Sequence, residues 1–337
     1  MKRIFLAVLL LTAAIVMGFF LFWHGENKAT GSLKEDLLFS VEPGEPARSV
    51  AERLKEAGAI QSEYIFLAHL AKNGERGKLQ KGMYILTPKD TVTAIAKRMV
   101  RGEVTRNDIK VTFPEGWPIK LMADRLTTLG LPGEEFYELA MKPDPKWRIE
   151  YPFLKSAPQG ATLEGFLFPD TYQFEPTVTA EEVIDRMLAT FGQKIGKEVE
   201  AGAVARQKTV FEMVTLASIV EEEGRTTEDR KIVADVFWKR LAVGQPFQSD
   251  ATVNYVLGTF KEQPTFEDIE NQSPYNTYVH AGLPPGPISN PGLESLRATI
   301  NPTPNPYFYF LNNLETKEMF FGVTYEDHLA NRKAHGL

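Results

Sequence analysis

One stretch constrains this chain more than any other. Residues 209–224 are almost uniformly apolar and end in three consecutive carboxylates before a glycine. At the helical period, Thr215, Ser218 and Glu222 fall on one narrow polar stripe, and apolar side chains cover most of the remaining circumference. The pattern therefore predicts a helix that is mostly buried, with Glu222 on its wet side and Gly224 as its C-cap.

The other two acids of this helix, Glu221 and Glu223, are predicted to stand on its apolar flanks. Burial and the partial negative charge of a helix C-terminus both raise the pKa of a carboxyl group. A carboxylic acid that is still protonated near neutral pH can donate a proton in a reaction. The alternative is a solvated helix end, which is the usual fate of clustered glutamates.

Composition excludes several classes of protein. The chain has 337 residues, of which 43% are hydrophobic, so it can bury a proper core. A net charge of −6 without a basic block argues against a nucleic-acid partner. The absence of cysteine excludes disulfides, thiolate chemistry and cysteine-bound metal.

The N-terminus predicts a membrane anchor. The run from Ile4 to Trp23 carries no charged residue and is about long enough to cross a ~30 Å hydrocarbon core. Lys2 and Arg3 predict that residues 1–3 lie in the cytoplasm and that everything after Trp23 lies outside it. A cleaved signal peptide is the alternative, although the apolar run is long for one and no clear cleavage site follows it.

A polar tether, residues 24–38, leads to two strand-turn-helix units of similar sequence. Residues 41–58 align with residues 113–130 in fixed register, and a looser unit of the same kind covers residues 82–100. We predict a small α+β subdomain over residues 39–105. Such a subdomain either presents a shallow groove to a polymer or serves only as a packing module.

The remaining part, residues 106–337, is predicted to be a mixed α/β domain, so that the fold class of the whole chain is α+β. Helices are predicted over residues 179–191, 209–224, 228–243 and 293–300, and a strand hairpin over residues 307–311 and 319–323. That ending favours a sheet packed on helices. Glu164 lies in an aromatic segment that either lines a sugar site or fills a core. Stiff loops rich in Pro and Gly hold further polar groups in place.

Several chemistries lack their motifs. The sequence has no serine-hydrolase elbow, zinc-peptidase pair, phosphate-binding loop or dinucleotide fingerprint. Its five histidines are scattered, so neither His280 nor His328 is expected to be a base. An extracytoplasmic chain that is rich in acids points to chemistry by carboxyl groups, of which glycosidic cleavage is the leading case.

Six motifs in order make the chain similar to the YceG-like endolytic murein transglycosylases, the MltG family. They are Pro114-Glu115-Gly116, Glu164-Gly165-x-Leu167-Phe168-Pro169-Asp170-Thr171-Tyr172, Ala217-Ser218-Ile219-Val220-Glu221-x-Glu223, Gln248-x-Asp250, Tyr275-Asn276-Thr277-Tyr278 and Gly282-Leu283-Pro284-Pro285-Gly286-x-Ile288. With the N-terminal span, the resemblance covers nearly the whole chain. The sequence departs from many relatives at Glu222, where they have Lys, and from some at Gly224, where they have Thr.

The resemblance implies an inner-membrane enzyme that needs no cofactor or metal. Its N-terminal region would be LysM-like, and its catalytic domain would cut nascent peptidoglycan strands internally, which sets their length. The family's catalytic glutamate falls on Glu223, and Glu221 matches the first acid of the same motif. An enzyme that trims strands is expected to contact a peptidoglycan synthase.

In the mechanism that we expect, Glu223 protonates the oxygen between N-acetylmuramic acid and N-acetylglucosamine. It then takes the proton of the muramic 6-hydroxyl as a 1,6-anhydro ring closes, so no water is activated. Glu221, Asp250, Asn276 and Tyr278 are the candidates for holding the sugar and stabilising positive charge. For each of them, loop structure or helix capping is the alternative.

Two other functions stay open. A hydrolase would cut the same bond with Glu164 or Asp250 activating water. A membrane-tethered scaffold would bind peptidoglycan through the repeated units and would carry the acids for structural reasons only.

Overall fold

A computed structural model of the chain describes residues 17–18, 31–104, 108–259, 261, 263–313, 316 and 318–335. The predicted membrane span, Ile4–Trp23, lies outside these residues except for Met17 and Gly18. Within the described part of the chain, no helix has the length and apolar character that a bilayer crossing requires.

The chain divides into two compact units, residues 1–107 and 108–337. The division lies next to the boundary predicted between residues 105 and 106. Each unit has apolar core residues of its own. That the first unit is LysM-like stays a prediction.

In the first unit, an antiparallel strand pair packs with helices. Strand β1 (Leu37–Val41) pairs with β2 (Gly82–Leu86), and the helices are α1 (Ala47–Glu56), α2 (Glu63–Lys72) and α3 (Val92–Arg101). Phe39 and Val41 point into the core from alternate positions of β1. Helix α1 buries the positions at helical spacing, so the periodicity of the sequence determines which face is covered.

The two aligned segments of the predicted repeat fold alike locally. The second copy consists of β3 (Ile109–Thr112) and α4 (Ile119–Thr128). The turn glycines Gly44 and Gly116 have φ angles of 72° and 79°, a backbone conformation that favours glycine. However, β1 pairs with β2, whereas β3 pairs with β4 (Thr171–Phe174) in the second unit. The two copies therefore complete different sheets.

The second unit is mainly helical. After α4 it contains α5 (Gly133–Met141), α6 (Lys146–Glu150), α7 (Ala180–Phe191), α8 (Lys197–Ala205), α9 (Val210–Glu223), α10 (Thr227–Val243), α11 (Asp250–Leu257), α12 (Phe266–Ile269), α13 (Leu293–Ile300) and α14 (Tyr325–His335), with β5 (Tyr309–Asn312) and β6 (Met319–Gly322). A 3₁₀ turn covers Pro152–Leu154 and a π-helical turn Gly192–Gly196.

Helix α9 is the central element that the sequence predicts. It starts with a capping box, in which Thr209 and Glu212 satisfy each other's backbone N–H groups. Apart from Glu212, all its residues as far as Val220 are buried. Gly224 does follow it as C-cap, but with an extended backbone of φ −89° rather than a left-handed one. Its small size matters instead, because a Cβ there would lie 2.4 Å from Cγ of Arg230.

Strands β5 and β6 form the predicted hairpin, and Phe310, Met319 and Phe321 pack against core residues of α9 and α10. Among the described residues, the two strands pair only with each other. Two further features were not predicted. Asp250 is the first residue of α11. Helix α14 has no buried residue, so it lacks the apolar periodicity that would predict it.

Candidate active site

A large cavity in the second unit includes the C-terminal end of α9 in its wall and has a volume of about 1720 Å³. Of the side chains predicted to form the site, Glu164, Glu223, Asp250 and Tyr278 line this cavity. Glu221 and Asn276 are not among its lining residues. With Gly116 in the turn before α4 and Ile288 in the Pro/Gly-rich loop, the lining includes residues from all six motifs.

Glu223 lies at the last position of α9 and is half-buried. Its Oε1 accepts a hydrogen bond of 2.6 Å from Oγ of Ser249, and its backbone carbonyl accepts one of 3.3 Å from Nδ2 of Asn312. No Lys, Arg or His of the described residues lies close enough to form an ion pair with it. The side chain is therefore held in place without being fixed as a permanent anion.

Burial raises the pKa of Glu223 to about 7, and the negative charge of Asp250 acts in the same direction. The hydrogen bond from Ser249 and the positive charge of Arg240 lower that pKa but do not outweigh burial. At neutral pH, about half of the molecules carry this proton. Glu223 can therefore act as an acid and, once it has lost the proton, as a base.

Asp250 and Tyr278 form a second polar group beside Glu223. The Tyr278 hydroxyl donates a hydrogen bond of 2.6 Å to Oδ1 of Asp250. Burial raises the pKa of Asp250, whereas this hydrogen bond lowers it. Both side chains line the cavity, so the Asp250 carboxyl group can face a bound sugar while its orientation is fixed by Tyr278.

Two residues next to Glu223 were not predicted. Ser249 is buried and aims its hydroxyl at Glu223; it occupies the unspecified position of the Gln248-x-Asp250 motif. Arg240 of α10 is 5% exposed, and its guanidinium donates to the carbonyls of Phe247 at 2.6 Å and Phe308 at 2.8 Å. Neither side chain has a local sequence signal, because each acts through residues that are distant in the chain.

Glu222 is exposed, as predicted, and it also lines the cavity. Partial desolvation of its carboxyl group by the surrounding protein raises the pKa of Glu222 to about 7, and the negative charges of Glu221 and Glu223 raise it further. Because the Glu222 side chain is open to solvent, water screens these charges more strongly than at the half-buried Glu223. In the described part of the chain, no group of three His, Asp or Glu side chains is arranged to hold a metal ion.

Glu164 is 2% exposed and joins three segments of the second unit. Its carboxyl oxygens accept hydrogen bonds from the Ile119 N–H at 3.0 Å and from Nδ2 of Asn290 at 2.7 Å. The Tyr255 hydroxyl lies 3.5 Å from Oε2. Burial raises the pKa of Glu164 to about 8, so at neutral pH the group is mostly protonated and poorly suited to take a proton from water.

The position of Glu221 does not support the predicted contact with sugar. Its Oε1 forms an ion pair of 2.8 Å with Arg230, and its Oε2 accepts a hydrogen bond of 2.9 Å from the Gly292 N–H. The side chain is 6% exposed. It thus connects α9 to α10 and to the start of α13, which explains an acid at this position without a catalytic role.

Asn276 is also structural in this geometry. It is fully buried, and its Nδ2 donates to the carbonyls of Ile269 at 2.8 Å and Asn271 at 2.7 Å. Its Oδ1 accepts from the Tyr278 N–H at 3.0 Å. Asn276 therefore orients the loop that carries Tyr278, which is the alternative that the sequence left open.

The polar stripe of α9 is exposed to solvent only at the C-terminal end of the helix. Thr215 and Ser218 are buried, and Oγ of Ser218 accepts a hydrogen bond of 3.0 Å from the Ile288 N–H. Ser289 donates to the Ser218 carbonyl at 3.2 Å. The stripe is thus a polar seam that holds the Pro/Gly-rich loop against the helix and leaves only Glu222 and Glu223 at the cavity.

Comparisons with known proteins show one family and several relatives that resemble this chain. Residues 39–334 match the YceG-like family. A Bacillus subtilis (strain 168) protein named endolytic murein transglycosylase is 31% identical over 307 residues, covering 88% of this chain and 83% of the relative. A protein of the same name from Streptococcus pneumoniae serotype 2 is 30% identical over 327 residues, which span 90% of this chain but 59% of the relative.

A solved structure has a similar fold. The 2.6 Å crystal structure of a yceG-like protein from Listeria monocytogenes superposes with a TM-score of 0.61 at 32% identity. The match covers 89% of this chain and all of that one. The chain belongs to the YceG-like family.

Proposed function

We propose that this chain is an endolytic murein transglycosylase, a lyase that cuts peptidoglycan glycan strands between N-acetylmuramic acid and N-acetylglucosamine. The observation that carries the proposal is Glu223, a half-buried carboxyl group with a pKa near 7 that lines a cavity of about 1720 Å³. A cavity of that size accommodates several sugar rings. The names of the relatives identify the polymer.

In the proposed reaction, the Glu223 carboxyl group donates its proton to the glycosidic oxygen as the bond from that oxygen to C1 of the muramic residue breaks. The muramic 6-hydroxyl oxygen then bonds to C1, and its proton passes to the Glu223 carboxylate. The products are a free 4-hydroxyl on one fragment and a 1,6-anhydro ring on the other. Glu223 returns to its starting state, and no water is consumed.

Three neighbours support that cycle. The Asp250 carboxyl group, held by Tyr278, places negative charge near the positive charge that develops at C1. It also raises the pKa of Glu223 and so helps keep the proton before the reaction. Ser249 and Arg240 stabilise the carboxylate that forms when the proton has left. Because Asp250 raises the pKa of Glu223 while Ser249 and Arg240 lower it, Glu223 can both donate a proton to the glycosidic oxygen and take one from the 6-hydroxyl.

A hydrolase at the same bond is the second candidate, and the proximity of Asp250 to Glu223 favours it. An Asp250 carboxylate could activate water on the other side of the sugar. Glu164 is the weaker choice for that base, since it is buried and mostly protonated at neutral pH. The two reactions differ in their products, because hydrolysis leaves reducing ends.

The test is mass spectrometry of the products from uncrosslinked glycan strands, with wild type, Glu223→Gln and Glu222→Gln. We expect 1,6-anhydro ends from wild type and from Glu222→Gln, and no products from a folded Glu223→Gln that still binds glycan. Reducing ends would support the hydrolase. If wild type and Glu223→Gln release equal amounts of product, Glu223 is not the acid, and the result would favour the scaffold function.

We further propose that the chain is anchored in the cytoplasmic membrane by residues 4–23, with residues 1–3 in the cytoplasm and residues 24–337 outside it. The uncharged run and Lys2 and Arg3 support this orientation. Since the chain has no cysteine, a Tyr64→Cys variant offers a single thiol at a position that is 73% exposed. A membrane-impermeant maleimide should label it in spheroplasts without lysis. Labelling only after lysis would contradict the orientation.

The first unit is proposed to be a LysM-like module that binds glycan, and a peptidoglycan synthase is the proposed protein partner. The repeated strand-turn-helix segments and the proposed site of action support these roles. Deleting residues 39–104 should weaken binding to uncrosslinked glycan strands, measured by co-sedimentation. Unchanged binding would contradict the role of the module.

A further inference from the structure

Three rings from the C-terminal part of the chain line the same cavity as Glu223. They are Tyr309 of β5 and Tyr325 and His328 of α14. The ring of Tyr309 lies 5.8 Å from that of Tyr325 and 5.8 Å from that of His328. Tyr325 and His328 are 6.0 Å apart and within 24° of parallel. The three rings form one continuous aromatic surface in the cavity wall.

Much of this surface is open. Tyr325 is 53% exposed, and at 6.0 Å its ring and that of His328 are offset and cover each other only in part. Burial and the charges of Arg332 and Arg240 lower the pKa of His328, which favours its neutral form at neutral pH. The helix that carries two of the rings buries none of its own residues, so packing of the core does not account for them.

The aromatic surface adjoins the proposed acid through Arg240. The Arg240 guanidinium lies 5.4 Å from the centre of the Tyr309 ring, and its positive charge acts on Glu223. Because the guanidinium is bound to the carbonyls of Phe247 and Phe308, the position of Tyr309 relative to the acid is fixed. A polymer that places its scissile bond at Glu223 can therefore extend along this surface.

We infer that Tyr309, Tyr325 and His328 form a sugar-binding subsite that stacks on a pyranose ring of the glycan strand next to the scissile bond; this inference rests on the proposed function. Aromatic faces pack against the C–H faces of pyranose rings. An enzyme that cuts inside a strand must hold sugars beyond the reacting one, and this surface provides such a contact.

The test measures binding of uncrosslinked glycan strands to the full-length chain in detergent, with Glu223→Gln as the background so that nothing is cut. Adding Tyr325→Ala should weaken binding about threefold to tenfold. Tyr325→Phe, which keeps the ring, should bind within about twofold of the background. The matched control is Leu329→Ala on the same helix, which is 45% exposed and is not among the cavity-lining residues.

The outcomes separate the subsite from the function on which it rests. If Tyr325→Ala binds glycan as tightly as the Glu223→Gln background, the subsite is refuted. If Leu329→Ala loses as much binding as Tyr325→Ala, the subsite is also refuted, because the loss would come from disruption of α14. We expect Tyr325→Ala, Tyr325→Phe and Leu329→Ala to unfold at the same temperature as the background. If Tyr325→Ala does not fold, His328→Ala replaces it, and the same loss of binding is expected. Undiminished cleavage by Glu223→Gln alone would refute the proposed function whatever the binding data show.

Discussion

Glu164→Gln should change how the stability of the second unit depends on pH. The wild-type carboxyl group is 2% exposed and has a pKa of about 8, whereas the unfolded chain has the ordinary value of 4.5. The folded state thus keeps a proton that the unfolded state releases, so stability falls as the pH rises from about 4.5 to 8. Glutamine resembles the protonated acid: its oxygen can accept from Ile119 and Asn290 while its NH₂ group faces Tyr255.

The size of the effect follows from the difference between the two pKa values. A shift from 4.5 to about 8 corresponds to a loss of roughly 5 kcal/mol in the free energy of unfolding above pH 8. At pH 7, the loss due to Glu164 is roughly 3 kcal/mol. Glu164→Gln lacks this titration, so the variant should gain stability relative to wild type by that amount between pH 4.5 and 7.

Urea unfolding followed by tryptophan fluorescence measures this difference. Trp117, Trp147 and Trp238 all belong to the second unit, and Trp147 is 1% exposed. Glu135→Gln replaces an exposed glutamate of the same unit and keeps Glu164, so its stability should follow the pH dependence of wild type. An offset between Glu164→Gln and wild type that is the same at pH 5 and pH 8 would refute the argument that Glu164 is protonated in the fold.

Three further substitutions test other parts of the site. Asp250→Asn removes a negative charge that raises the pKa of Glu223, so the alkaline loss of activity should move to lower pH in a pH–rate profile; an unmoved profile would mean that the two groups are not coupled. Glu221→Gln leaves Arg230 without its ion-pair partner and should lower the free energy of unfolding by about 3 kcal/mol. At a temperature where this variant is folded, its activity should have the same pH profile as that of wild type. Gly165→Ala places a Cβ 2.7 Å from Val214 at a φ of +86° and should cost about 3 kcal/mol, so a wild-type melting temperature would contradict the packing described.

Local signals predicted the elements that carry the proposed acid. Helix α9 begins at Thr209 and is apolar for most of its length, so both its limits and its burial follow from sequence pattern. The same pattern predicted that Glu222 would be exposed, and it is. A single helix and its nearest neighbours in sequence were sufficient for these conclusions.

The partners of the acids could not be predicted, because they come from distant parts of the chain. Glu221 lies on an apolar flank, but only the approach of α10 shows that Arg230 neutralises it. Ser218 looks like part of a wet stripe until the loop at Ile288 covers it. Periodicity identifies which face of a helix is polar, but it does not identify what packs against that face.

Helix α14 illustrates a different limit. It is polar throughout and buries no residue, so no hydrophobic period marks it. From its sequence context His328 is not expected to be a base, and only the fold shows that its ring lies beside those of Tyr309 and Tyr325. Whether an exposed side chain lines the cavity depends on how distant loops and helices are arranged around it, which local sequence pattern does not determine.

The most direct test of the central claim, that Glu223 supplies the proton, is the pH dependence of kcat/KM on uncrosslinked glycan. Wild type should lose activity above a pKa of about 7, roughly tenfold per pH unit at high pH, and Glu222→Gln should keep that same alkaline limb. A profile that stays flat to about pH 9, or an alkaline limb that disappears in Glu222→Gln, would contradict the claim.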